Sequence, residues 1–140
     1  MAKGTHDYAA DPRNEEIVIN VNGDLIPRAE ATVSVFDSGF MLGDGVWEGI
    51  RVHKGKMAFL GAHMDRLFEG AKAIAMDVGI TREELTARLK ETIAANNMQS
   101  CHIRLMVTRG IRSTPYQDPR VVISPATIVI IAEHKDPLPA

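Results

Sequence analysis

Apolar positions recur along the chain with two different periods. In residues 62–78 they fall at three- and four-residue steps: Met64, Leu67, Phe68, Ala71, Ile74, Ala75 and Val78. That spacing lines one face of a helix, with Asp65, Glu69 and Lys72 on the wet side and Gly79 as the stop. A second helix is expected to start at Thr81. Thr81 and Glu84 have the spacing of a capping box, Leu85, Leu89 and Ile93 follow four apart, and Asn96-Asn97 ends the run. Elsewhere the period is two or the runs are short and β-branched. Ile17–Val21, then Asn22-Gly23, then Leu25-Ile26 reads as a tight hairpin closed by Pro27. Ala31–Phe36 is expected as a further short strand. Asp37–Gly45, with Gly39, Gly43 and Gly45, reads as a shaped loop rather than a helix. From Val46 to His53 one alternating set is Val46, Glu48, Ile50 and Val52, and the other is Trp47, Gly49, Arg51 and His53. Lys54-Gly55 turns this strand back into Met57–Leu60. Cys101–Thr108 and Thr127–Ala132 are strands, joined by the proline-bearing loop Gly110–Pro125. Strands, two helices, then strands is the order of an α+β fold with segregated helices.

The organisation expected is a loose arm over residues 1–15, one α+β domain over 16–133, and the start of a linker over 134–140. The chain has 140 residues, 45% apolar and 24% charged, enough for one core and unlike a disordered segment. A net charge of -2 gives no bulk attraction to nucleic acid or to an anionic membrane. Cys101 is the single cysteine, which excludes an internal disulfide. It lies in an apolar strand, where a buried inert thiol is the expectation. The polar N-terminus has no signal-peptide run, and no stretch approaches the roughly 18 apolar residues of a membrane span. The cytoplasm is the expected compartment.

His6, His53, His63, His102 and His134 are scattered without metal-ligand spacing, so no metal site is expected. Phosphate-loop, dinucleotide and serine-elbow motifs are missing. What stands out is arginine among apolar neighbours: Arg66 near a helix start, Arg104 inside Ile103–Val107, and Arg109 at that strand's end. A guanidinium so placed needs a carboxylate or a phosphate, and its planar fork suits both. Plainer readings stand beside this one. Arg66 fits a salt bridge on a helix flank, Arg104 an ion pair on a wet sheet face, and Arg109 a loop-edge charge. Trp47 fits a core position and His63 a helix terminus.

Taken in order, Ile19–Gly23, Asp37–Arg51, Phe59–Leu67, Ile103–Gly110 and Thr127–Ala132 resemble class IV (fold type IV) pyridoxal-phosphate aminotransferases. The most specific pair is Gly43-Asp44-Gly45-Val46-Trp47-Glu48 followed by His63-Met64-Asp65-Arg66-Leu67. The resemblance covers nearly everything after the N-terminal arm. It implies the family's small N-terminal domain: a mixed or antiparallel sheet with two helices packed on one side. It implies that Arg66 binds the phosphate of pyridoxal 5'-phosphate. Trp47 would line the substrate pocket, and Gly49 would leave room for the substrate side chain. Arg104 and Arg109 match two arginines that different branches use near substrate carboxylates, and Arg112 lies just beyond. Asp44 and Glu48 would tie the glycine-rich segment to the sheet. Glu48–Arg51 and Ile103-Arg104 look most like the branched-chain amino acid branch, whereas Leu42 stands where many branched-chain enzymes carry a tyrosine.

The family's chemistry needs a Schiff-base lysine. Lys3, Lys54, Lys56, Lys72, Lys90 and Lys135 all lack its sequence context, which in the family belongs to a second domain. The reading is therefore the N-terminal part of a longer aminotransferase, inactive alone, using amino acid and 2-oxo acid substrates and forming a homodimer. D-amino acid or R-amine transaminase and aminodeoxychorismate lyase keep the fold and change the reaction. A non-catalytic binding or assembly module changes the class.

Overall fold

The computed structural model describes residues 8–137. The strands are β1 (Val18–Val21), β2 (Asp24–Pro27), β3 (Gly45–His53), β4 (Lys56–Met57), β5 (Cys101–Thr108) and β6 (Thr127–His134). They form one sheet in the order β2-β1-β6-β5-β3-β4, with every pair antiparallel. The helices are α1 (Ser38–Leu42), α2 (Leu60–Ala73) and α3 (Arg82–Ala95). This is the expected α+β class, with the sheet antiparallel throughout.

The register shows that the two long helices share one face. Asn20, Ile130, Leu105 and Glu48 pair in one row across β1, β6, β5 and β3. At one end Asn20 Nδ2 donates to Thr92 Oγ1 of α3 at 3.2 Å, and at the other Glu48 accepts from Arg66 of α2. Side chains alternate along a strand, so α2 and α3 cover the face of Ile50, Val52, Cys101, Ile103, Leu105, Val107, Ile128, Ile130 and Ala132. Met64, Leu67 and Ala71 of α2 and Leu85, Leu89 and Ile93 of α3 complete this core. The opposite face carries neither long helix; α1 borders it at the Thr108 end. Its rows are Val21–Val129–Met106–Trp47, then Ile131–Arg104–Gly49, then Glu133–His102–Arg51.

Several local expectations change. Ala31–Phe36 forms no strand, since Val33 and Val35 are exposed and the segment has no ladder partner among the described residues. The glycine-rich segment contains α1, one short helix started by the Asp37 carboxylate on the Gly39 N–H and ended by left-handed Gly43. Glycine at 45 is required, because a Cβ there would stand 2.6 Å from the Val107 carbonyl oxygen. The first long helix runs over 60–73 instead of 62–78. Ala75 takes φ 51°, and Met76 and Val78 reach the core from the turn beyond. The second helix has its capping box and ends at Asn96.

The end of the expected arm is docked. Residues 12–14 form a turn of 3-10 helix, and buried Asn14 accepts from His134 N–H at 2.6 Å and donates to its carbonyl at 3.1 Å. Arg13 pairs with Asp11 and Asp136. The ordered unit thus begins before residue 16, and β6 runs into the stretch expected as linker. The remainder of the arm, 1–7, and residues 138–140 lie outside the described residues.

Candidate functional site

Strand alternation on β3 and β5 places Trp47, Gly49 and Arg104 on the open face. Gly49 pairs directly with Arg104, and Trp47 with Met106. The Arg104 guanidinium lies 4.0 Å from the centre of the Trp47 ring, a cation–π contact. Trp47 is 59% exposed, so it is a platform on this face and not a core residue. Arg104 makes no ion pair among the described residues. A cavity of about 610 Å³ opens here over Ile19, Val21, Phe40, Trp47, Met106, Val129 and Ile131. It is mostly apolar, which suits an aliphatic group.

The room above Gly49 is partly taken. A Cβ at this position would meet His102 Cε1 at 3.2 Å and Nε2 at 3.3 Å. The imidazole therefore uses the space left by the absent side chain.

Arg66 lies on the helix side. Its Nε donates to Glu48 Oε1 at 2.6 Å and its Nη2 to Oε2 at 2.7 Å. His63 Nδ1 shares Oε2 at 2.8 Å. Glu48 is only 3% exposed, whereas the Arg66 side chain is 72% exposed. The Arg66 fork holds the Glu48 carboxyl below the usual carboxylate range, with His63 adding to the effect, and Glu48 in turn raises Arg66. Nη1 of Arg66 makes no hydrogen bond among the described residues. The fork is thus fixed on one side and open on the other, the arrangement that fits a phosphate oxygen. The two faces meet at the edge of β3. Strand β4 reaches only Val52 and His53, so the edge from Gly45 to Gly49 has no strand partner among the described residues.

Arg109 goes elsewhere. Its Nε and Nη2 bind Asp44 at 2.7 and 3.1 Å, and its Nη1 and Nη2 bind the Ala75 and Ile74 carbonyls at the end of α2 at 2.9 and 2.6 Å. Arg112, 1% exposed, joins the same carboxylate at 2.6 Å and also binds Ser38 Oγ and the Tyr116 and Asp118 carbonyls. Arg109 first, then Arg112, hold the Asp44 carboxyl below its ordinary value. Arg109 and Arg112 thus commit donors to Asp44, to Ser38 Oγ and to backbone carbonyls.

Among the described residues, no lysine borders the cavity. Cys101 is fully buried, and burial pushes its thiol up. Two polar groups on the open face escaped the sequence reading as site residues: Arg51 and His102. The signal was available for Arg51, which shares an alternating set with Trp47 and Gly49.

The amino-transferase class IV family model matches residues 45–139, and the chain belongs to that family. A putative branched-chain-amino-acid aminotransferase of Methanocaldococcus jannaschii is 42% identical over 120 residues, which is 86% of this chain and 41% of the relative. A D-alanine aminotransferase of Listeria monocytogenes is 38% identical over 105 residues, 75% of this chain and 35% of the relative. The branched-chain aminotransferase of the thermophilic archaeon Thermoproteus uzoniensis, solved with norvaline, superposes with a TM-score of 0.70 at 32% identity, over 84% of this chain and 40% of that one. The chain therefore spans at most about two fifths of the relatives that it matches, and 23% of two branched-chain-amino-acid aminotransferase-like proteins of Arabidopsis thaliana.

Proposed function

We propose that this chain is the small domain of a pyridoxal-phosphate-dependent aminotransferase acting on branched-chain amino acids with a 2-oxo acid acceptor. The observation that carries this reading is the division of labour among the arginines. Arg104 stands without an acceptor among the described residues, beside Trp47 and an apolar cavity, and Arg66 is braced by Glu48 with one side open. Arg66 would hold the cofactor phosphate, and Arg104 would orient a substrate carboxylate. Trp47, with Met106 and Val129, would shield the aliphatic side chain from water. Bound pyridoxal phosphate supplies the electron sink that carries amino-group transfer. The Schiff-base lysine would come from outside these residues, which leaves the chain inactive alone. A homodimer in the cytoplasm completes the proposal.

The D-amino acid reading draws on relatives named D-alanine aminotransferases and on Thr108-Arg109-Gly110. The commitment of Arg109 to Asp44 and to α2 weighs against a carboxylate role for it.

Titrating the chain with pyridoxal phosphate tests the proposal. Binding should saturate, compete with inorganic phosphate, and weaken about tenfold in Arg66→Gln. The chain should transfer no amino group from leucine to 2-oxoglutarate, whereas a protein carrying it together with the second domain should. Failure of that longer protein to take up the cofactor would overturn the reading.

A further inference from the structure

A second hollow opens on the helix side of the sheet, where the turn before α3 meets the loop before β6. Its volume is about 440 Å³, within the roughly 300–1,000 Å³ of small-molecule sites. Val78, Ile80, Ile111, Ala126 and Ile128 line it, and buried Val78 and Ile128 make its floor part of the core. It meets the open-face cavity only at Thr127, which lines both. Asn22 and Ser124 on its wall are already engaged. Asn22 Oδ1 accepts from Ile128 N–H at 2.8 Å. Ser124 Oγ accepts from Ile111 N–H at 2.7 Å and donates to the Pro125 carbonyl at 2.9 Å. Arg88, also on the wall, is not engaged. Its guanidinium lies against the β1–β2 turn, where a Cβ at Gly23 would stand 3.4 Å from Cζ. It makes no side-chain hydrogen bond or ion pair among the described residues. Arg88 is half-buried, so its donors are partly withdrawn from water with no acceptor in exchange.

The surroundings select the ligand. Glu84 and Glu91 stand about one turn to either side of Arg88 on α3, and Asp24 follows Gly23 in the turn. Asp77 holds the Gly79 N–H at 2.8 Å beside the hollow. One cation among four acids suits a single negative charge and disfavours a double one. The planar fork matches a carboxylate, and the apolar wall lets an aliphatic chain leave water. We propose that this hollow is a second binding site, for an aliphatic monocarboxylate of about six carbons, with Arg88 taking the carboxylate and the apolar wall taking the chain. It uses neither Arg66 nor Arg104, so it is independent of the aminotransferase reading.

The test is an NMR titration of the full chain, labelled at its isoleucine δ1 methyl groups. The probes are hexanoate, butanoate, hexan-1-ol and inorganic phosphate. Hexanoate should move the Ile80, Ile111 and Ile128 signals saturably, with a midpoint of about 1 mM. Butanoate buries two fewer methylenes and should bind about tenfold more weakly. Arg88→Gln should weaken hexanoate about tenfold and leave hexan-1-ol unchanged, which shows the hollow intact in the variant. Arg88→Lys should recover part of the loss. Ile17, Ile19 and Ile131 line the open-face cavity and report separately on ligand there. Hexanoate shifts confined to those three overturn the proposal. So does hexanoate binding that ignores Arg88→Gln, hexan-1-ol binding as tight as hexanoate, or phosphate that displaces hexanoate from the hollow. None of these readouts needs cofactor. A chain that binds hexanoate here but takes up no pyridoxal phosphate would sink the functional reading and leave this site standing, and the reverse result would do the opposite.

Discussion

Glu48 is a carboxylate on the core set of β3, in step with Val46, Ile50 and Val52. A charge there must find cations, and it finds three donors, from Arg66 and His63. Glu48→Gln keeps the shape and removes the charge. It is expected to lower unfolding stability by roughly 1–3 kcal/mol in denaturant titration. Asp44→Ala strips the partner from buried Arg112 and should cost on the order of 3 kcal/mol, more than the Glu48 change. The alternation in the sequence already set Glu48 among apolar residues, so a buried ion pair was legible there. Its partner was not, because Arg66 lies 18 positions away on another element. The partner of Arg109 was hidden for the same reason: Asp44 is 65 positions upstream, and only the fold brings them together.

Among the elements, those with a long period or a strong cap were readable: α2 from its apolar stripe, α3 from Thr81 and Glu84, and the β1–β2 hairpin from Asn22-Gly23. α1 was not, because five residues cannot display a helical period and its glycines argue for a loop. Gly39 and Gly45 serve contact with β5 instead, and left-handed Gly43 ends the helix. Gly45→Ala forces the Val107 backbone away and should destabilise by about 1–3 kcal/mol while weakening ligand binding on the open face. Thr81→Ala removes a cap and should cost about 1 kcal/mol with binding unchanged. Thermal melts paired with Trp47 titrations separate the two outcomes. The overlong reading of α2 has a geometric cause. Met76 and Val78 keep an apolar rhythm after the chain has left the helix at Ala75.

At the scale of the molecule, Asp44, Glu48 and His102 carry lowered pKa values, as do Asp11 and Asp118, and the first three frame the response to acid followed here. Asp44 and Glu48 fall below their ordinary 3.8 and 4.5, so their contribution is complete above about pH 4.5 and is lost as pH drops through the folded values. His102 falls below its ordinary 6.5, so the folded state disfavours its proton and stability begins to decline below that point. Melting temperature should therefore decrease on acidification in two stages, the first absent in His102→Gln. A melting temperature that rises between about pH 7 and about pH 5.5 would contradict these assignments.

The pairing of β3 with β5 gives the protein two optical and chemical probes, supplied by its own composition. Its one tryptophan projects from the uncovered side of that strand pair, and its one cysteine points to the sealed side, fully buried. Indole emission thus senses molecules arriving from solvent while the sheet stays shut. A thiol reagent reacts only after the sheet opens, so its rate counts opening events and leaves surface traffic unread. Followed in one sample, the two signals distinguish ligand release from loss of structure without any label being engineered in.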